Sequence, residues 1–277
     1  MKTKRRFTLL AIVIFMLPGF CRLDAEIIVA EEFPDHTRTT GAPPASLQWY
    51  ATDAAGTVVS DRAIALTKGG EKMQAIWAGF PPVSLEVGDR LVFSCHLRSE
   101  KEVGLVNSGV MISLLSTQGM IGGEESEPTL MCSGYRLQLG NSRHTRSGQP
   151  FTVMAFDERN DTEHRRPMLT THSGYKRIAT AGPTGTVPYE ALETYRVEFS
   201  IERVSESGLR ISATVEGGAF TGDHSLTHET SGTDGSITTI FDTLGLTING
   251  ATDRGGFSHV TFSGIKLEIL RAKASSH

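Results

Sequence analysis

The stretch HSGYKR, His172 to Arg177, combines an imidazole, a phenol, an ammonium and a guanidinium in one short segment. A histidine or tyrosine beside a cation can remove the proton next to a uronate carboxylate while the cation neutralises that carboxylate. In GYRLQLG, Arg136 and Gln138 offer a further cation and an amide. One hypothesis is therefore a polysaccharide lyase with His172 or Tyr175 as the base. The alternative is an exposed connection or edge strand, because no carboxylate within the segment orients the histidine and its cations suit edge protection.

Sugar binding without chemistry requires a different set of side chains, with exposed aromatic rings among them. Trp49 in SLQWY and Trp77 in QAIWAGF lie in predicted strands, so alternation can turn one of them outward. The alternative is that both rings close the ends of the core. Charged and amide side chains predicted to face away from the core complete the candidate ligand-binding set, which is His96, Arg98, Arg136, Gln138, Trp49 and Trp77.

Metal and cofactor signals are sparse. Asp157, Asn160 and Asp161 in DERNDTE could offer oxygen ligands to calcium. This segment lacks the glycine and the spacing of a recognised calcium loop, so a plain acidic loop is the alternative. His224 and His228 are four positions apart, but an extended chain separates such residues by roughly 13 Å, too far for one zinc ion. The sequence has no phosphate-binding loop, dinucleotide fingerprint or serine-nucleophile elbow, so we expect no cofactor, with calcium left open.

The N-terminus has the parts of a secretory signal. A basic start, KTKRR, precedes the apolar run FTLLAIVIFMLPGF, and CRLDA follows to Ala25. The apolar run is shorter than the roughly 20 residues of a membrane span. We therefore expect cleavage after Ala25 and a single domain, residues 26–277, in a secreted, periplasmic or cell-surface protein with no membrane span. Lipidation at Cys21 and an uncleaved anchor are the alternatives.

Removal of residues 1–25 leaves an acidic chain with two cysteines, because the formal net charge then changes from -4 to -8. An acidic surface argues against nucleic acid and anionic membranes, so polysaccharide is the expected partner. The oligomeric state stays open. Cys95 and Cys132 are a disulfide candidate in an exported protein, and the alternative is two small buried thiols.

The elements that must position these residues are strands. In TYRVEFSIERVSESGLRISATVEGG, apolar and polar residues alternate on both sides of a turn at Ser205 to Gly208, which predicts an antiparallel hairpin with one buried face. The same period of two occurs in RLVFSCHLRS, GVMISLLS and GYRLQLG. In HVTFSGIKLEIL it changes phase at Gly264, which predicts a bulge. Helical signals are scarce, so the sequence predicts an all-β, two-sheet antiparallel sandwich of the jelly-roll type with little helix.

The order of the pieces FPDHTRTTGAPPASLQWYAT, GDRLVFSCHLRS, SGVMISLLSTQG, SGYRLQLG, the hairpin and FSHVTFSGIKLEI resembles an exported bacterial jelly-roll domain of the concanavalin A-like, laminin-G-like superfamily. That superfamily includes carbohydrate-binding modules, glycan hydrolases, polysaccharide lyases and domains with no known ligand. The hydrolase pattern E-x-D-x-x-E and the lyase patterns R-T-E-L and Y-F-K-A-G-x-Y-x-Q are missing from the sequence. The resemblance therefore specifies the fold better than the function, and with no catalytic motif found we expect glycan binding or an accessory surface role rather than an enzyme. A uronate-specific lyase and a structural or adhesive domain are the alternatives.

Overall fold

The computed structural model describes residues 24–38, 41–68, 73–100, 109–142, 152–161, 165–170, 174–181, 189–218, 224–231, 237–249 and 259–273. In these ranges the chain forms β-strands, turns and bends, and none of them contains a helix. In chain order the strands are β1 Asp24–Ala30, β2 Trp49–Ala51, β3 Thr57–Ser60, β4 Ala63–Thr67, β5 Gln74–Ser84, β6 Arg90–Ser99, β7 Gly109–Ser116, β8 Thr129–Leu130, β9 Ser133–Ser142, β10 Thr152–Asn160, β11 Arg166–Pro167, β12 Tyr175–Thr180, β13 Thr194–Ser205, β14 Gly208–Gly217, β15 His224–Ser231, β16 Ile240–Asn249 and β17 His259–Arg271.

Two large antiparallel sheets face each other. The eight-stranded sheet has the order β15-β14-β13-β6-β17-β4-β3, and β1 pairs with β17 beside that path. The seven-stranded sheet has the order β12-β10-β9-β7-β16-β5-β2, and β8 and β11 form a small separate ladder. This arrangement confirms the predicted antiparallel β-sandwich and is consistent with a jelly roll.

The main core lies between the two sheets and is built by alternation. The hairpin of β13 and β14 places all eight of its predicted inward residues there: Tyr195, Val197, Phe199, Ile201, Leu209, Ile211, Ala213 and Val215. The facing sheet contributes every second residue of β7 and β9, which are Val110, Ile112, Leu114, Tyr135, Leu137 and Leu139. Burial of large apolar side chains stabilises by about 1.5–3 kcal/mol each before chain entropy is counted. The period of two in the sequence is thus the physical origin of the sandwich.

The predicted bulge at Gly264 is present in β17. The pairing of β17 with β6 changes register between Ser263 and Lys266. Gly264 has a φ of 57°, in the left-handed region, and a β-carbon there would lie 3.0 Å from Nδ1 of His96. Glycine is favoured at this bulge because it has no side chain to oppose either constraint.

A second, smaller apolar cluster covers part of the outer face of the seven-stranded sheet. It consists of Ala75, Trp77, Leu115, Leu130, Cys132, Met168 and Leu169. Asp242 anchors the segment after β7, because its carboxylate accepts hydrogen bonds from the amides of Thr117 (2.8 Å) and Gly119 (2.9 Å). Glu127 binds the segment after β11 through the amide of Leu169 and, at 2.9 Å, the amide of Thr170. The second apolar cluster therefore shields one part of this outer face from solvent. Another part of the same face carries the polar residues described in the next section.

Residues 1–23 of the predicted signal lie outside the described residues, so its cleavage stays a prediction. Asp24 and Ala25, the last two residues of that predicted signal, pair with Arg271 and Leu270 at the start of β1. Among the described residues, no helix is long and apolar enough to cross a membrane.

Candidate functional site

A row of polar residues crosses three strands on the outer face of the seven-stranded sheet. Arg136 of β9 lies directly opposite Asp157 of β10, and Asp157 lies opposite Arg177 of β12. The inward neighbours Tyr135, Leu137 and Phe156 belong to the main core. Since successive strand residues point to opposite faces, Arg136, Asp157 and Arg177 all point outward. We call these three residues the arginine row.

The carboxylate of Asp157 joins the arginine row. Its Oδ2 accepts hydrogen bonds from Nε (3.0 Å) and Nη2 (2.7 Å) of Arg136, and its Oδ1 accepts one from Nε of Arg177 at 2.5 Å. The side chains of Arg136 and Asp157 are 3% and 4% exposed, whereas that of Arg177 is 40% exposed. The buried pair of Arg136 and Asp157 is a fixed support, and Arg177 is the cation that solvent can reach.

Gln138 extends the arginine row along β9. Its Oε1 accepts a hydrogen bond from Nη2 of Arg177 at 2.7 Å, and its side chain is half-buried. An amide and a guanidinium held side by side offer several N–H donors in one patch. This pair is suited to bind the hydroxyl and carboxylate oxygens of a ligand from solvent.

The ring of Tyr175 lies close to two guanidinium groups. The Cζ atoms of Arg136 and Arg159 lie 3.7 Å and 5.2 Å from the centre of its ring. Its hydroxyl donates a hydrogen bond to the carbonyl oxygen of Met168 at 2.9 Å. Burial raises the pKa of Tyr175, and the charges of Arg136 and Arg159 oppose that rise without cancelling it. In this arrangement the phenol is a neutral structural donor, not a poised base.

The structure brings together three of the four residues of the lyase hypothesis. Tyr175, Arg136 and Gln138 meet on one face, through the ring contact and through Arg177. His172 lies outside the described residues. The described part of HSGYKR begins at Gly174 and continues into β12, which is the edge strand of its sheet. The prediction of an edge strand is therefore confirmed for that part.

The calcium candidate residues are dispersed or neutralised. Asp157 is paired with two arginines. Asp161 accepts a hydrogen bond from Nε of Arg159 at 2.8 Å, while Asn160 is exposed. A carboxylate that already neutralises a guanidinium is a poor ligand for a cation. Within the described ranges, no group of three or more histidine, cysteine, aspartate or glutamate side chains could hold a metal ion.

Neither tryptophan is a platform for a ligand. Trp49 and Trp77 are both fully buried. Trp49 packs in the main core and donates from Nε1 to Glu31 at 2.8 Å. Trp77 does face away from that core, but the second apolar cluster covers it and its Nε1 donates to the carbonyl oxygen of Ile121. The expectation that one of the two rings faces solvent is wrong, because alternation assigns a face but does not tell whether another segment covers it.

His96 and Arg98 belong to the opposite surface of the sandwich. Both are exposed on β6, in the eight-stranded sheet, and so lie on the far side of the core from Arg136 and Gln138. Arg98 forms an ion pair with Glu100, in which Nε and Oε1 are 3.4 Å apart. The prediction that all four face away from the core is confirmed, but the two pairs cannot contribute to one site.

The predicted disulfide is not formed. Cys95 and Cys132 are both free and buried. Cys95 points into the main core from the eight-stranded sheet, whereas Cys132 lies in the second apolar cluster outside the seven-stranded sheet. The alternative of two small buried thiols is the one that the structure has.

Two hydroxyl groups on the site's sheet were missed by sequence reasoning. Ser113 of β7 lies opposite Arg136, and Thr247 of β16 lies opposite Met111, the residue that also pairs with Gln138. Both side chains are buried, and neither hydroxyl has a hydrogen-bond partner among the described residues. The available signal was a serine at an outward position of the otherwise apolar strand GVMISLLS.

Comparison with solved structures finds a similar fold in a lectin and in an exoplasmic/lumenal domain. No protein-family model matches the chain, and no curated protein matches its sequence significantly. Lectin II from Ulex europaeus superposes with a TM-score of 0.52 and 8% identity, over 85% of this chain and 97% of the lectin. The metal-free VIP36 exoplasmic/lumenal domain gives a TM-score of 0.51 at 9% identity, over 91% and 95% of the two chains. The Ca²⁺-bound form of VIP36 gives 0.50 at 10% identity, over 92% and 94%.

The fold is that of a lectin-like β-sandwich. At this level of identity the likeness shows the fold alone. At identities of 8–10%, the role of no residue in those proteins can be assigned to a residue of this chain.

Proposed function

We propose that this chain is a glycan-binding, lectin-type domain whose site is the outer face of the seven-stranded sheet at β9, β10 and β12. The observation that carries the proposal is the pair of Gln138 and Arg177, which is open to solvent and is fixed from below by Asp157. The lectin-like fold supports it, because an extended sheet face can contact several sugar units in succession.

The preferred ligand is a glycan that carries carboxylates. Two guanidinium groups and one carboxylate leave the arginine row with one excess positive charge. Arg177 can bind a carboxylate through two parallel N–H donors, and the Gln138 amide can bind a neighbouring hydroxyl. In a chain of net negative charge, this local cation selects acidic ligands by contact rather than by long-range attraction.

The test is titration of acidic and neutral oligosaccharides against the purified chain by calorimetry. We expect binding of uronate-containing glycans, and we expect Arg177→Gln to weaken it by at least about tenfold, the loss of one good charged contact. Arg196→Gln is the matched control, since Arg196 is an exposed arginine in an ion pair on the eight-stranded sheet. Equal loss in both variants, or binding of neutral glycans alone, would contradict the proposal.

The lyase alternative uses the same face but requires a different assay. Tyr175 donates its hydroxyl hydrogen to the carbonyl oxygen of Met168, so this phenol is engaged as a donor beside Arg136. Incubation with uronate polymers, followed by ultraviolet absorbance of the unsaturated product, separates the two functions. We expect no product. Product that requires Tyr175 or His172 would assign the lyase function instead.

We also propose an extracytoplasmic location, after removal of residues 1–25. The basic and apolar N-terminus supports this proposal. N-terminal sequencing of protein recovered from the exported fraction should find Glu26 as the first residue. A chain that keeps Met1 or stays in the cytoplasm would contradict it.

A further inference from the structure

A cavity of about 340 Å³ lies apart from the arginine row, at the edge of the eight-stranded sheet. Two segments line it: the loop that follows β1, with Glu32, Phe33, Pro34 and His36, and the connection between β3 and β4, with Asp61 and Arg62. Its volume is in the range of small-molecule sites. Nothing in the proposed glycan function uses it, because β1, β3 and β4 all belong to the other sheet.

The first wall of the cavity is fixed by the buried carboxylate of Glu31. This carboxylate accepts hydrogen bonds from the amides of Phe33 (3.0 Å) and Leu47 (2.8 Å), from the hydroxyl of Ser46 (2.7 Å) and from Nε1 of Trp49 (2.8 Å). Phe33 is buried and packs in the main core while it lines the cavity. The loop is therefore ordered before any ligand arrives, so a ligand would not have to order it on binding.

The second wall is a two-residue hairpin turn. Ser60 pairs with Ala63, so Asp61 and Arg62 alone connect β3 to β4. Their φ angles are 27° and 65°. Two-residue hairpins with positive φ at both positions favour Asn-Gly, whereas this turn has Asp-Arg. The geometry of the hairpin explains the positive φ angles, but it does not explain why two charged residues occupy them.

Unusual backbone is concentrated around this cavity. Among the described residues, seven that are not glycine have a positive φ, and four of them line the cavity: Phe33, His36, Asp61 and Arg62. For a bulky residue such as Phe33, with a φ of 42°, this conformation is an outlier. Backbone conformations that residues rarely adopt are found more often at ligand-binding sites, where the surrounding structure holds them in place.

The charges around the cavity favour a cation. Arg62 is already beside Glu32, with Nε and Oε2 3.4 Å apart, in a pair whose side chains are 80% and 53% exposed. Asp61 has no ion-pair partner among the described residues, so one carboxylate is in excess. The ring of Pro34 adds an apolar surface, and the imidazole of His36 adds a hydrogen-bonding group.

From this arrangement we infer that the cavity binds a small sugar that carries a primary ammonium, an amino sugar. Its ammonium lies between the carboxylates of Asp61 and Glu32. Its apolar C–H face packs on Pro34, and its hydroxyls reach His36 and Arg62. The ligand supplies the single positive charge that the cavity lacks.

The experiment is titration of the full chain with glucosamine, and separately with N-acetylglucosamine, by calorimetry at neutral pH and low salt. The N-acetyl form has the same ring without the positive charge, so we expect at least tenfold weaker binding for it. We expect Asp61→Asn to weaken glucosamine binding by the same factor. Because asparagine tolerates the left-handed conformation better than most residues, this variant should keep or raise the melting temperature.

The matched control is Glu125→Gln. Glu125 is an exposed glutamate with a φ of 54°, and it does not line the cavity. It should change glucosamine affinity by less than twofold. Equal binding of the N-acetyl sugar, unchanged affinity in a folded Asp61→Asn variant, or no heat of binding with glucosamine would each overturn the inference. None of these outcomes bears on the arginine row, which Arg177→Gln tests separately.

Discussion

The guanidinium carbon of Arg136 lies 3.7 Å from the centre of the Tyr175 ring. This contact joins the edge strand β12 to β9, although β10 lies between them in the sheet. A cation stacked on an aromatic face in a desolvated place stabilises by up to about 2 kcal/mol. The ring thereby holds in place the same guanidinium that Asp157 binds from the side.

The two parts of the Tyr175 side chain should contribute separately to stability. Tyr175→Phe removes the hydrogen bond to Met168 and keeps the ring, so we expect a loss of about 1 kcal/mol in the free energy of unfolding. Tyr175→Leu also removes the contact with Arg136 and should cost about 1–2 kcal/mol more. Urea denaturation of both variants measures this. Equal losses would mean that the ring contact with Arg136 contributes nothing.

Asp157→Asn should be among the most damaging conservative substitutions in the protein. It leaves the buried guanidinium of Arg136 without its counter-charge, which costs roughly 3–5 kcal/mol when a buried pair is broken. Glu216→Gln removes a carboxylate from an exposed pair with Arg196, so it should cost less than about 1 kcal/mol. Chemical denaturation of the two variants gives the comparison. A similar small loss in both would show that the arginine row is not held by Asp157.

Gly245 is a position where a single methyl group should be harmful. A β-carbon there would lie 2.4 Å from Cδ2 of Leu169, in the segment that covers the outer face. Gly245→Ala should therefore cost about 1–3 kcal/mol by overpacking, measured by urea denaturation. Gly123→Ala is the control, since a β-carbon at that position would meet no described atom within 4 Å. If the clash is the cause, Leu169→Ala should cost less in the Gly245→Ala background than alone.

Asp89 should contribute stability that is lost in acid. Burial raises the pKa of Asp89, but hydrogen bonds from the amide of Ala272 (2.9 Å) and from Arg271 (2.6 Å) outweigh it, so the pKa lies below its usual value. The folded state therefore favours the carboxylate. Its contribution is complete above the unfolded pKa of about 3.9 and is lost as the pH falls towards the lowered folded value. Unfolding free energies measured from pH 7 to pH 3 should fall less steeply for Asp89→Asn than for the unchanged chain.

The thiols of Cys95 and Cys132 should be free and unreactive in the folded protein. Burial raises the pKa of both, that of Cys132 to about 12, so almost no thiolate exists at pH 8. Iodoacetamide should label neither position in the native state and both in denaturant without reductant. Peptide mass spectrometry locates the label. Failure to label Cys95 and Cys132 after denaturation would reveal a disulfide that the structure does not have.

Sequence periodicity predicts the main core of this protein well, because a strand that buries one face must alternate. The hairpin at Tyr195 to Val215 and the bulge at Gly264 followed from that single rule. Alternation also placed Arg136 and Gln138 outward, on the face where the structure has them.

Alternation does not predict whether an outward-facing residue is covered by another segment of the chain. It also does not predict which of the two sheets a strand joins. Trp77 is outward on β5 and still buried, since residues distant in sequence, such as Leu130 and Met168, close over it. Nothing in the period of two assigned β6 and β9 to different sheets, so His96 and Arg136 could not be separated. The carboxylate of Glu31 had no local signal, because its partners at Ser46, Leu47 and Trp49 come from a return of the chain.

The position of β17 determines the order in which this protein can be completed. It is the last strand in the described chain, yet it lies between β6 and β4 and is also the partner of β1. Residues 259–271 form the hydrogen-bonding partner of β1, of β4 and of one edge of β6. Until these residues have been synthesised, those three strands lack that partner. A nascent chain without these residues exposes unpaired strand edges, which are prone to pair with other chains. The eight-stranded sheet therefore assembles only after β17 has been made, so chains interrupted before β17 should aggregate instead of forming a smaller stable sandwich.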